Sequence, residues 1–175
     1  MLSRKKKGKE SLYIAYGSNL NLPQMAVRCP TAKVVGASEL KDYELLFRGR
    51  PYQAVATVEP KEGSTVPVLL WKIREADEIS LDHYEGYPSF YEKQTMEMEL
   101  DGKPVSAMVY VMTPGHRFGI PSGYYADVIR QGYETAKFDT QILEDAIDRA
   151  WELVTQEMRG YRGGESVQIK MGGME

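Results

Sequence analysis

The chain has 175 residues, 42% of them hydrophobic, and a formal net charge of −3. That length suits one domain with an ordinary core, and the slightly acidic balance gives no basis for nucleic-acid binding, which calls for a clearly basic face. No apolar run approaches the ~20 residues that a membrane-spanning helix needs.

The N-terminus carries the basic run Arg4-Lys5-Lys6-Lys7. No apolar segment follows before Leu12, so it does not read as a signal peptide; residues 1–10 are expected to be a solvated, disordered leader. Leu12-Tyr13-Ile14-Ala15 reads as the first strand, and Tyr16-Gly17-Ser18-Asn19-Leu20 as the turn that ends it. Such a turn can aim successive backbone N–H groups at one point, forming a cup for an anion or a carbonyl oxygen. Read alone, it is also an ordinary turn.

Cys29 is the only cysteine, which excludes an intrachain disulfide and fits a reducing, cytoplasmic setting. With only His83 and His116 to join it, a structural zinc site is not expected. Arg28 could help ionise this thiol, but Pro30 follows and no histidine is near in sequence, so thiol catalysis is not expected.

Strands are predicted over 33–37, 43–47, 54–58 and 66–73. Pro67 falls near the start of the last, where proline is tolerated. A helix from Glu75 to Tyr84 should end at Gly86, where glycine can turn left-handed, leaving Glu85 at the helix end. Over 92–100, Met96, Met98 and Leu100 alternate with Glu97 and Glu99. Asp101-Gly102 makes a hairpin turn, and 105–112 returns as the partner strand.

Ser122 is a suitable cap for a second helix with Tyr125, Val128, Ile129, Gly132, Tyr133 and Ala136 on one face. A third helix begins at Asp139. Ile142, Leu143, Ala146, Ile147, Ala150, Trp151 and Val154 form its stripe, and Phe138 and Leu143 are placed as a staple across its cap. Beyond Met158 glycines become frequent, so 159–175 reads as a tail, with an edge strand at 167–171 as the alternative. Residues 11–158 then form one α+β domain: a small mixed, mostly antiparallel curved sheet or barrel with about three helices packed around it.

Three segments now stand in order: Tyr16-Gly17-Ser18-Asn19-Leu20, Leu81-Asp82-His83-Tyr84-Glu85-Gly86 and Pro121-Ser122-Gly123-Tyr124-Tyr125. With the strand ending Tyr110-Val111-Met112-Thr113, the set resembles the gamma-glutamylcyclotransferase family, including its AIG2-like relatives, over roughly residues 12–150. The resemblance implies a compact mixed α/β fold with a small barrel-like sheet. It implies that Glu85 is the acid–base residue, and that Tyr13, Tyr16, Gly17, Ser18, Asn19 and Leu20, with Tyr91 and Tyr125, bind a small gamma-glutamyl substrate. Asn19 departs from the Tyr-Gly-Ser-Leu of the glutathione-specific branch and from the Tyr-Gly-Thr-Leu of the gamma-glutamylamine branch, so the chain is closer to the general branch.

The reaction implied is ring closure to 5-oxoproline with release of an amine or amino acid. It needs no metal, cofactor or covalent nucleophile, since a well-oriented intramolecular attack is already favoured. The leaving portion is expected to meet loops near 49–53, 86–91 and 113–123. Read without the family, Glu85 is a solvated helix-end acid, Tyr125 a packed core residue and Tyr91 a cover for the sheet edge. His83 points away from Glu85 on the helix and reads as a surface or packing residue. The second functional reading is a catalytically inactive small-molecule binding module on the same fold. The sequence carries no signal for an oligomeric state.

Overall fold

The computed structural model describes the backbone of residues 8–171 and the side chains of 8–161. The Arg4–Lys7 run of the expected leader and Gly172-Gly173 of the expected tail lie outside the described residues. The strands are β1 (Glu10–Ala15), β2 (Lys33–Arg50), β3 (Gln53–Arg74), β4 (Tyr91–Leu100) and β5 (Lys103–Met112). The helices are α1 (Leu22–Arg28), α2 (Glu75–Glu85), α3 (Gly123–Ala136) and α4 (Thr140–Met171), with a single 3-10 turn at Ser18–Leu20. Among the described residues, no helix is long and apolar enough to cross a membrane.

The strands form one mixed sheet in the order β2-β3-β1-β5-β4. β1 is antiparallel to β3 and parallel to β5, meeting it at Tyr13 and Met108; the other pairings are antiparallel. β1 therefore sits in the middle, and its C-terminal end delivers the Tyr16–Leu20 turn to the centre of the molecule.

Four short predicted strands merge into the long β2–β3 hairpin. β2 breaks register at Val34/Gly36 and at Lys41/Tyr43, and Asp42 is left-handed with φ 61°. Such bulges bend a strand without ending it. Between 59 and 65, β3 is largely exposed and polar, so this ribbon shows no apolar alternation; residues 61–64 bulge out of the register, and pairing with β2 resumes at Thr65.

The sheet curls but does not close as a barrel. Its outer strands meet through side chains instead: Ser38 Oγ donates to the carbonyl of Glu99 on β4 at 2.6 Å. A Cβ on Gly36 would fall 2.7 Å from Leu100 Cδ1, so glycine is what permits this approach. Ile14, Val58, Leu70, Val109, Ile129 and Leu143 are fully buried in the core enclosed by sheet and helices.

The three predicted helices are present. Gly86 ends α2 at φ 64°, as expected of a C-terminal glycine. Ser122 Oγ accepts from Tyr125 N at 3.1 Å and caps α3. The additional helix, α1, is short and buries only Met25; Asn21 caps it by accepting from Gln24 N, and Pro23 lies in its first turn. Of the predicted α4 stripe, Leu143, Ala146 and Ala150 are buried but Trp151 is exposed. α4 also continues through Gly160 to Met171, so 167–171 is helical rather than an edge strand.

Candidate active site

After Ala15 the chain leaves the sheet and winds into the 3-10 turn. Its first internal hydrogen bond runs from Leu20 N to Gly17 O at 3.0 Å. The N–H groups of Gly17, Ser18 and Asn19 therefore have no partner within the turn, as at any helix start. Gly17 is tightly placed: a Cβ there would lie 3.2 Å from Ala56 Cβ and 3.6 Å from Tyr125 Oη. Leu20 anchors the turn from behind. It is buried, and its backbone lies so close to Gly132 of α3 that a Cβ on that glycine would come within 2.8 Å of the Leu20 carbonyl carbon.

In front of the turn is a cavity of about 220 Å³. Tyr13, Tyr16, Gly17, Ser18, Asn19, Glu85, Tyr91 and Tyr125 all line it. Of the site residues expected from sequence, Leu20 alone faces the core and does not reach it. The structure adds Val55, Ala56, Tyr84, Phe90 and Tyr110. Tyr110 is visible in the sequence only as part of a strand motif. Val55 and Ala56 are visible only as strand residues, because nothing in a sequence says which strand passes beneath a turn.

The aromatic hydroxyls hold one another and the backbone. Tyr125 Oη accepts from the Ala56 N–H at 3.0 Å, and Tyr91 Oη donates to the Ala56 carbonyl at 2.6 Å. Tyr16 Oη donates to the Tyr110 carbonyl at 2.7 Å. Asn19 Nδ2 donates to Tyr13 Oη at 2.8 Å. Tyr13 and Tyr125 thus accept from the protein, and each keeps its own hydroxyl proton for another acceptor.

Arg28, at the end of α1, braces one wall. It donates to Asn19 Oδ1, and its guanidinium lies 3.4 Å from the centroid of the Tyr84 ring. The Tyr84 hydroxyl is 3.2 Å from Ser18 Oγ. On another side, Tyr110 Oη donates to Asp82 Oδ1 at 2.5 Å, and Lys93 Nζ stands 2.8 Å from the same oxygen. These contacts tie α2, which carries Glu85, to β4 and β5.

Burial among these rings pushes the Glu85 carboxyl from an ordinary 4.5 up to about 7, against the opposing pull of the Arg28 cation. The hydroxyls of Tyr13, Tyr16, Tyr91 and Tyr125 are raised by burial first, with the Glu85 charge adding to the effect. They are neutral phenols at physiological pH, and Glu85 is the group in the cavity poised to exchange a proton there.

Cys29 lies apart from this chemistry. It is buried, its Sγ faces the Asp77 carbonyl at 3.6 Å, and burial followed by the Asp77 charge pushes the thiol up to about 11. His83 is exposed, as expected from its place on the helix. Among the described residues, no cluster of His, Cys, Asp and Glu is fit to hold a metal ion.

The profile of the family described as "Gamma-glutamyl cyclotransferase, AIG2-like" matches residues 13–127, a span that includes every residue of the cavity. The chain is 30% identical over 139 residues to a protein of Bos taurus named gamma-glutamylcyclotransferase, covering 74% of this chain and 73% of that one. It is 30% identical over 130 residues to the Homo sapiens protein of the same name, covering 69% of each. A solved structure named gamma-glutamyl cyclotransferase superposes with a TM-score of 0.71 at 26% identity, over 79% of this chain and 86% of that one.

Proposed function

The chain belongs to the gamma-glutamyl cyclotransferase, AIG2-like family, and from that premise we propose that it releases 5-oxoproline from a gamma-glutamyl amine or dipeptide, with Glu85 as general acid and base. The observation that carries this reading is a carboxyl pushed up to about 7, set in an aromatic cavity opposite a turn with uncommitted N–H groups.

The alpha-amine of the gamma-glutamyl group attacks its own gamma-carbonyl. A C–N bond forms, and the amine's proton passes to the Glu85 carboxylate. The tetrahedral oxyanion is met by N–H groups of the 17–19 turn. Collapse then breaks the bond to the leaving nitrogen, which takes the proton back from Glu85. Protons balance over the cycle, and the enzyme returns to its starting form. A base with a pKa near the working pH serves both halves of such a transfer.

The rest of the cavity positions the substrate. Tyr125 and Tyr13 offer hydroxyl protons to its carboxylate, while Ser18 and Asn19 complete the polar wall. Ring closure is intramolecular, and effective molarities of ~10⁵ M or more are within reach once the chain is held folded. The site's task is thus to hold a bent conformer and move one proton.

The test is a panel of gamma-glutamyl compounds with 5-oxoproline quantified by mass spectrometry. The wild-type chain should release it from at least one member, and Glu85→Gln should lose activity while keeping its circular dichroism spectrum. Ligand-induced thermal stabilisation without product would instead favour the binding-module reading.

A further inference from the structure

A second cavity, of about 530 Å³, adjoins the first. The two share Val55 and Phe90, so the second begins where the first ends, beyond the Phe90 ring. Its other walls include Arg50, Gln53, His116 and Arg117, and no carboxylate lines it.

The two arginines come from different segments, Arg50 from the end of β2 at the β2–β3 turn and Arg117 from the loop between β5 and α3. The backbone stitches these segments together: Gly49 N donates to Arg117 O at 2.8 Å, and Ile120 N donates to Pro51 O at 2.7 Å. Both arginines thereby line one cavity. His116 fixes the wall between the cavities, with its ring 4.7 Å from that of Phe90 and Nε2 3.1 Å from Thr113 Oγ1.

Arg48 makes the contrast. Its guanidinium is committed to Glu59 at 2.6 Å. Arg50 and Arg117 take part in none of the ion pairs among the described residues. Arg117 also lines a separate groove, on which Glu157 of α4 is the one carboxylate; Glu157 does not line this cavity.

We propose that this second cavity receives the leaving portion of the substrate, and that Arg50 and Arg117 read a carboxylate on the amine that departs. The inference rests on the reading of the Glu85 cavity as the gamma-glutamyl site. Among gamma-glutamyl amino acids and peptides, a further carboxylate on the leaving portion is then favoured. A plain or cationic amine is disfavoured. The guanidinium fork matches a carboxylate in shape as well as charge.

The test is calorimetric binding to the Glu85→Gln chain, which holds ligand without turning it over. The ligands are gamma-glutamyl-alanine, its C-terminal carboxamide, gamma-glutamyl-glutamate and gamma-glutamyl-ethylamine. The acid should bind ~10-fold tighter than its carboxamide, a discounted figure because both arginines are exposed. Gamma-glutamyl-glutamate should bind at least as tightly as the alanine compound. In the background Arg50→Gln/Arg117→Gln the gap should close while the carboxamide's Kd stays put. The gap should also shrink as salt is added.

Equal affinity for acid and carboxamide, or a gap that survives the double substitution, overturns the proposal. A wild-type chain that shows this selectivity but releases no 5-oxoproline refutes the proton transfer assigned to Glu85 and upholds the subsite. Failure of all four ligands to bind overturns both.

Discussion

The Tyr125 hydroxyl, on α3, accepts a hydrogen bond from the backbone N–H of Ala56, on β3, across 3.0 Å. The acceptor role has a consequence: the phenol's own proton is left over, and it faces a cavity that also contains Glu85. One side chain thus both locks a helix to the sheet and offers a donor to whatever enters.

Tyr125→Phe should therefore show two separable losses. The buried Ala56 N–H loses its partner, which costs about 1–3 kcal/mol of stability, readable as a lower urea midpoint with unchanged slope. The cavity loses a donor, which should raise KM for a gamma-glutamyl substrate. A variant with wild-type KM and only the stability loss would make Tyr125 a structural residue and nothing more.

The Glu85 carboxyl should govern the pH dependence of both activity and stability. Because the deprotonated form accepts the amine's proton, kcat/KM should rise with pH through about 7. For stability the sign is the reverse. The carboxyl titrates near 4.5 in the unfolded chain and near 7 in the fold, so between these values the folded state holds more protons. Stability then falls as pH rises through that window. Glu85→Gln should be more stable than wild type above pH 7, by on the order of 2 kcal/mol, and the difference should vanish below about pH 4.5. Parallel thermal unfolding of the two chains across that range would expose an error in either sign.

Much of this site is legible in the sequence because its parts are local. A glycine turn after a strand and a glutamate before a left-handed glycine are each written in five or six consecutive residues. What is not legible depends on distance. Val55 and Ala56 read as strand residues, and only the packing of β3 under the turn makes them a floor. Arg28 stands next to Cys29 in sequence and reads as its neighbour, whereas its guanidinium reaches Asn19 and Tyr84. The long hairpin reads as short strands, cut at its bulges and along its polar ribbon, because periodicity fails there while strand pairing resumes beyond each break. Leu20 lies within the turn motif, yet a 3-10 turn sends its side chain to the opposite side from Ser18 and Asn19.

The lone cysteine should be chemically silent. With its thiol pushed up to about 11, the thiolate fraction at neutral pH is negligible, and the side chain is buried. Iodoacetamide at pH 7.5 should leave both the mass and the activity of the native chain unchanged, and Cys29→Ala should keep wild-type kcat. Rapid inactivation by alkylation would reopen thiol chemistry in this fold.

The packing of α3 behind the turn gives the last expectation. A Cβ on Gly132 would fall 2.6 Å from Leu20 Cβ and 2.8 Å from the Leu20 carbonyl carbon, and the latter is backbone that no rotamer change can move aside. Gly132→Ala should therefore destabilise the chain by about 1–3 kcal/mol, despite alanine's higher helix propensity. Relief of the overlap displaces the Ser18–Leu20 turn, so activity should fall along with stability although residue 132 does not line the cavity. Gly123, in the first turn of the same helix, is the control. A Cβ added there would meet no atom within 4 Å, so Gly123→Ala should be neutral or stabilising by up to about 1 kcal/mol, with activity intact. Should the two alanine variants behave alike, the turn is not held by contact with α3, and the anchoring role given to Leu20 is wrong.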